Sequence, residues 1–480
     1  MSSTANPVRV SRSAMAAGLG RSHWSVARAW QTNVALVLIG MGLFFLTRQL
    51  ISEYHQFTIG FSGVSGWSVI LYLGAVFLVL TQPVNRFTFP IILVVAVACR
   101  LIALFPAPFL SSDIYRYVWD GVVQHAHVSP YRYVPGDPVL AFLRAPHQAV
   151  FDHINRRDYA HTIYPPAAQA LFYLVTWISP TVTFMKTVMV LFEGVTMYGL
   201  VTLLRSVGVR REQTLLYAWC PILIWEIAGS GHLDSAAMAF ITLALLARYR
   251  RQGVLTGLFL GIAILLKLYP LVLFPALYRR GDWKMPVTMA AVIAVGYAAY
   301  SSVGMLVFGF LGGYVKEEGM ATGARYFLLE LAQRVSGLHD LSTAAYFAFC
   351  GAVFAALMWW CWSSVCRQGD GADVSDAAFL RPAFALAAAL MFLFSPHYAW
   401  YIVWLVPFFV LMPNLPILAY LTGFFYLYTT ALAEPGPKMF LANEILYGLV
   451  LMAFLLQLMF DRWPLHRTLF VQPVTASETL

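Results

Sequence analysis

The sequence predicts an all-α polytopic membrane protein, and three observations carry that reading. Of its 480 residues, 60% are hydrophobic and only 11% are charged. Its mean hydropathy of +0.70 demands a bilayer rather than water as solvent. Apolar stretches recur near residues 31–49, 66–82, 88–107, 165–180, 183–204, 212–228, 234–248, 253–266, 269–279, 286–310, 341–365, 378–394, 398–412, 417–432 and 443–460. None alternates apolar and polar residues over about ten positions, as a barrel strand would, so the chain reads as a helical bundle of about 13–14 transmembrane helices.

Residues 1–29 form a basic tail, with Arg9, Arg12, Arg21 and Arg28 and no acid before Glu53. It resembles a targeting peptide, but the next apolar run is long and "LFFLTRQL" offers no small-residue cleavage site. The first span is therefore expected to stay, with the tail in the cytoplasm. Residues 30–460 form a single integral-membrane domain and 461–480 a cytoplasmic C-terminal tail. Several apolar runs are shorter than the ~20 residues of a straight span, which suggests broken helices lining a cavity.

Arg and Lys set the topology. Placing the N-tail, Arg205/Arg210/Arg211, Arg248/Arg250/Arg251, Arg279/Arg280/Lys284, Arg367 and Arg462/Arg467 in the cytoplasm leaves the polar motifs opposite them. These are residues 109–164, "GSGHLD" (229–234), "KLYP" (267–270), 311–340, "SPHYAWY" (395–401) and "AEPGPK" (433–438), and their shared side predicts one site. Residues 165–204 hold two apolar runs whose ends must lie on opposite sides, so one run is incomplete or re-entrant, broken at Pro180. The net charge of +9 reflects this bias rather than nucleic-acid binding. The five cysteines lie in or beside apolar runs, with neither a disulfide framework nor CxxC spacing.

"SSDIYRYVWDGVVQHAHVSPYRYVP" (111–135) is the polar exception. Ser112 is expected to cap a helix starting at Asp113. Ile114, Tyr115, Val118, Trp119 and Val122 then share one face, while Asp113, Arg116, Asp120 and Gln124 share the other. Such a helix is expected to lie in the membrane interface, followed by a turn-rich loop at Pro130, Pro135, Gly136 and Pro138. A surface helix with a charge ladder fits this periodicity equally well. Asp113 directly follows an apolar span, where lipid headgroups begin. A carboxylate there can accept a proton from a sugar hydroxyl or hold a divalent cation.

That segment, together with "TIYPPAAQ", "EIAGSGHLD", "LLKLYPLVLFPAL" and "SPHYAWYIVWLVP", resembles bacterial GT-C membrane glycosyltransferases over roughly residues 85–410, specifically the mannosyltransferase-like branch that uses polyprenyl-phosphate sugars. The resemblance implies a bacterial cell-membrane enzyme with a large catalytic first loop, 109–164, facing the periplasm or exterior. It assigns the essential loop aspartate to Asp113. Many relatives carry a second acid just before it, where this chain has Ser112, so no two-carboxylate metal site is implied. A divalent cation (Mg or Mn) at Asp113 stays open, and no cofactor is assigned.

The residues themselves also favour a lipid-linked donor. The longest non-membrane stretch, about 55 residues, is too short for a nucleotide-binding βαβ domain, and "GSGHLDS" lacks GxGxxG spacing. The expected partners are a polyprenyl-phosphate sugar, a lipid or glycan acceptor and membrane lipids, with no nucleic acid. Lys267, between two apolar runs, is the leading cation for the donor phosphate, although a snorkelling lysine fits as well. Arg116, Arg132 and His397 are further phosphate candidates. His232 and Asp234 can hold sugar hydroxyls or a metal, or Asp234 can simply cap a helix. Tyr117, Asp120, Tyr164, Tyr269 and Tyr398 complete the substrate-binding candidates, with an interface aromatic belt as the plain alternative. Glu193 and Glu226 are buried carboxylates that are either functional or paired, for instance with Arg100. A transporter or lipid flippase is the rival reading, kept open by Lys267, Glu193 and Glu226. An O-antigen-type ligase would instead centre on arginine and histidine in a late loop.

Overall fold

A computed structural model describes residues 12–53, 60–317, 319, 323, 326–337, 341–366, 377–395, 398–423 and 437–461. Those residues are helical with no strand, as the apolar periodicity predicts. The elements that frame the site are α1 (Arg12–Glu53), α2 (Gly60–Thr81), α3 (Thr88–Leu104), α4 (Asp113–His125), α5 (Pro166–Ile178), α6 (Val182–Ser206), α7 (Asp234–Tyr249) and α8 (Gly253–Leu266).

Among the described residues, five helices are long and apolar enough to cross a membrane: Ala27–Ser52, Gly63–Thr81, Val182–Ser206, Thr343–Ser363 and Lys438–Phe460. Two further spans are broken, with Pro221–Gly229 and Asp234–Tyr249 meeting at 119° and Lys284–Ala299 and Ser301–Glu317 at 109°. Five more apolar helices have only 10–17 residues. Many of the apolar runs counted from sequence are therefore short or bent, because Pro and Gly stop the helix before ~20 residues are reached. Residues 165–204 show this directly. α5 ends at Ile178 after 13 residues, Pro180 follows, and Thr181 accepts a hydrogen bond from the Phe184 N–H (3.3 Å) to start the 25-residue α6. The incomplete run is the first one.

The core centres on α7, which is buried almost throughout. Its small residues, in "DSAAMAFITLALLARY", let neighbours approach on all sides. On α6, a Cβ at Gly199 would lie 2.6 Å from the Thr242 methyl group. On α8, a Cβ at Gly257 would lie 2.2 Å from the Met285 carbonyl. Both glycines set how closely these helices pack.

Charge inside this core is paired. Arg100 on α3 reaches Glu193 on α6 through two bonds, Nε to Oε2 at 2.9 Å and Nη2 to Oε1 at 2.7 Å. Its Nη1 donates to the Ala218 carbonyl (2.8 Å). Glu193 is thus the partner of Arg100, one of the two roles open to it from sequence. Glu193→Ala should leave a buried guanidinium without its carboxylate and cost about 3–5 kcal/mol, whereas Arg100→Met combined with Glu193→Leu should recover most of that loss. Thermal unfolding in detergent reads both, and a single variant that melts like the wild type would show that the pair does not hold α3 to α6.

Candidate active site

α4 begins at Asp113, as expected, but the side chain that serves its N-terminus is Ser111 rather than Ser112. Ser111 Oγ accepts from the Asp113 N–H (3.2 Å), while Ser112 makes no side-chain cap bond. Ser112 has φ −99° and ψ 4°, not the extended conformation from which an N-cap side chain reaches the first turn, and the hydroxyl one residue earlier is the one in reach.

The polar face of α4 is also not at a water interface. Arg116 and Asp120 are 6% and 1% exposed. Arg116 Nε donates to Asp120 Oδ1 (2.7 Å) and Nη1 to the Ala160 carbonyl (3.0 Å). Asp120 Oδ2 accepts from Gln169 on α5 (2.9 Å), which also donates to Thr162 (2.8 Å). Gln124 donates to the Gln169 side chain (3.1 Å) and accepts from the Tyr300 hydroxyl (2.8 Å). Gly121 permits the contact, because a Cβ there would lie 2.3 Å from Thr176 Oγ1. The charge ladder read as a surface face is therefore an internal network that fixes α4, α5 and the end of the first loop. α5 covers it, and nothing in the local sequence of α4 reports that cover.

The loop itself is held at several points. The Tyr131 hydroxyl donates to the Tyr164 carbonyl (2.8 Å), and Arg144 donates to the carbonyls of Gly136 (2.6 Å) and Asp137 (2.7 Å). Arg156 pairs with Glu317 (2.8 Å), and the Phe310 N–H donates to the Thr162 carbonyl (3.2 Å). The bent segment Ser301–Glu317 thus lies against the loop.

Asp113 itself is partly exposed and accepts one bond, from Asn155 Nδ2 (3.1 Å). One turn on, Tyr117 is fully buried, stacked on Phe172 (4.7 Å) and edge-on to Tyr164 (4.9 Å). Burial pushes the Tyr117 hydroxyl well above the ordinary tyrosine value, and Asp113 and Asp234 add to the rise. Burial and then Asp113 do the same to Tyr164, and burial and then Asp234 to Tyr269. All three therefore stay protonated at neutral pH, so they can donate to a ligand but cannot act as bases there.

Asp234 opens α7 and is completely buried. Its Oδ2 accepts from Lys267 Nζ (2.7 Å), while Oδ1 has no hydrogen-bond partner among the described residues. The Tyr269 hydroxyl and His232 Nδ1 are likewise buried without one. Lys267, the expected phosphate cation, is thus already paired, and it also lies over the Tyr401 ring (5.3 Å). His232 Nε2 lies 3.2 Å from Glu226 Oε2. His232 stacks on Trp400 (4.4 Å), which stacks on Tyr398 (4.5 Å). The Tyr314 and Tyr401 hydroxyls share a hydrogen bond (2.7 Å).

The structure therefore brings together Asp113, Tyr117, Tyr164, His232, Asp234, Lys267, Tyr269 and Tyr398 around one cluster of buried polar atoms. Arg116 and Asp120 stand behind it as support, Arg132 is exposed on the loop, and His397 lies outside the described residues. Among the described residues no group of three His, Cys, Asp or Glu side chains could hold a metal. A cation at Asp113 would have to draw its other ligands from water, backbone or substrate. Asn155 and Lys186 escape a reading based on motifs, and Gln169 closes the quoted "TIYPPAAQ" without a role assigned to it there. Lys186 did carry a signal, as a charge in the same apolar run that flags Glu193.

The model of glycosyltransferase family 87 matches residues 162–396, which include Tyr164, His232, Asp234, Lys267 and Tyr269 and begin after Asp113. No curated protein and no solved structure matches the chain. Gln169→Leu should strand the buried Asp120 Oδ2 and cost about 1–3 kcal/mol. Limited proteolysis should then cut the 126–164 loop faster than in the wild type, and unchanged cleavage would remove this network from the account of how the loop is held.

Proposed function

With the chain a membrane glycosyltransferase of the GT-C type, we propose that it moves a sugar from a polyprenyl-phosphate donor to an extracytoplasmic lipid or glycan acceptor, with Asp113 as general base and inversion at the anomeric carbon. The observation that carries this reading is the pairing of two unlike carboxylates around one buried polar cluster. Asp113 is partly open and holds a single bond from Asn155, while Asp234 is buried and tied to Lys267. An open carboxylate with one fixed oxygen is free to take a proton, and a buried one bonded to an ammonium is not.

In this scheme the acceptor hydroxyl loses its proton to Asp113 as its oxygen attacks the anomeric carbon. The bond from that carbon to the phosphate oxygen breaks, and polyprenyl phosphate leaves with the electron pair. Lys267 is 16% exposed at its side chain and has two N–H groups beyond the one given to Asp234. It is the nearest cation to meet the leaving phosphate, with Arg132 at the loop rim. The orphaned Asp234 Oδ1, Tyr269 hydroxyl and His232 Nδ1 are suited to sugar hydroxyls, and the Tyr398–Trp400–His232 stack to a sugar face. Mannose is the first sugar to test, and a bacterial cell membrane with the site facing outward fits the distribution of Arg and Lys. The rival transporter reading loses one of its three residues, since Glu193 is paired with Arg100 inside the core, while Lys267 and Glu226 belong to the polar cluster itself.

Asp113→Asn keeps shape and should lower transfer from a polyprenyl-phosphate sugar by roughly 10²–10⁴-fold with unchanged melting. Wild-type turnover in the purified variant would remove Asp113 from the role of base.

A further inference from the structure

Lys186, near the start of α6, is completely buried. Among the described residues no carboxylate pairs with it. Its ammonium instead donates to two carbonyls, Ala103 and Pro106, both at 2.9 Å. Ala103 lies in the last turn of α3, where the helix dipole leaves partial negative charge, so the lysine caps one helix from another. An ammonium enclosed this way is costly, and a plain apolar contact between α3 and α6 would not need it.

What Lys186 holds is the root of the chain leading to Asp113. Residues 105–112 run from the end of α3 to the start of α4 alongside the glycine-rich break 229–231. Phe109 packs where a Cβ on Gly229 would come within 2.5 Å of its ring. The Leu110 N–H donates to Ser230 Oγ (3.3 Å). Ile114 packs onto Gly231, whose φ is +78° and where a Cβ would lie 2.2 Å from the Ile114 Cδ1 and 3.0 Å from the Lys186 Cγ. Lys186 thus bonds to the start of the segment that ends at Asp113 and touches the break that ends at Asp234.

We propose that Lys186 is a positioning residue for sugar transfer: by pinning Ala103 and Pro106 beneath Gly231 it sets the placement of Asp113 relative to Asp234. The proposal rests on Asp113 being the base. A donor 1 Å out of place near the chemistry can cost on the order of 10²-fold, so the effect belongs in turnover rather than in donor binding.

The test is steady-state kinetics with a polyprenyl-phosphate sugar on Lys186→Met, Lys186→Arg, Ser230→Ala and Asp113→Asn, with melting measured in the same detergent. Lys186→Met should lower kcat roughly 10- to 100-fold per folded molecule with KM for the donor within about twofold. Lys186→Arg, which keeps the charge and its donors, should recover most of that loss, and Ser230→Ala should show a smaller fall of the same kind. Unchanged kcat in Lys186→Met, or a fall accompanied by an equal rise in KM, overturns the proposal, as does a loss that only follows the folded fraction. If Lys186→Met does not fold, Ser230→Ala decides: a fall in kcat alone supports the proposal and wild-type kcat overturns it. Asp113→Asn separates the two levels. Activity in that variant sinks the base, whereas its inactivity beside a fully active Lys186→Met sinks only the positioning role.

Discussion

The seating of the Phe109 and Ile114 side chains on the bare backbone of Gly229 and Gly231 is the constraint on which the site depends. Ideal Cβ atoms at Gly229 and Gly231 would fall 2.5 Å from the Phe109 ring and 2.2 Å from the Ile114 Cδ1, so the break seats those two side chains because it carries none of its own. That contact lets a helix starting at Asp113 and a helix starting at Asp234 open beside each other, although they are far apart in sequence. The wide turn of 119° between Pro221–Gly229 and α7 serves the same end, since a straight helix would carry Asp234 away from the surface that meets α4. The π-helical turn at Ile224–Gly229 widens the backbone just before this bend, the kind of irregularity that concentrates at functional sites.

Burial then divides the charged residues by task. Arg100–Glu193 and Arg116–Asp120 close on themselves, each pair bonded also to a backbone carbonyl or a neighbouring side chain. Such pairs specify geometry more than they add stability, because desolvation offsets much of their attraction. Asp234, His232 and Tyr269 are left with unspent hydrogen-bonding atoms in the same low-dielectric interior. Protein interiors rarely leave such atoms orphaned, so their gathering at one place is itself a sign of a ligand.

Much of this was legible in the residues. Composition gave the helical class, Pro180 the break before α6, and the apolar-to-polar change the start of α4 at Asp113. The polar motifs pointed to one site, and the family match covers several of them. What was not legible depends on distant partners. Periodicity marks which face of α4 is polar but not that α5 covers it, so Arg116 and Asp120 looked exposed. Lys267 and Asp234 are 33 residues apart and each resembles a free functional charge until the fold joins them. The Ser111 cap differs from the expected Ser112 by one residue because the local backbone, not the residue type, decides which hydroxyl reaches.

α5 also has a consequence for how the chain crosses the bilayer. Its 13 residues rise only about 20 Å, against a hydrocarbon thickness of about 30 Å. Trp177 and Ile178 at its end are each 73% exposed. A helix that short cannot cross that thickness alone, in keeping with its being the incomplete one of the two runs in 165–204. One short helix thus carries the buried Gln169 near its start and two bare apolar side chains at its end.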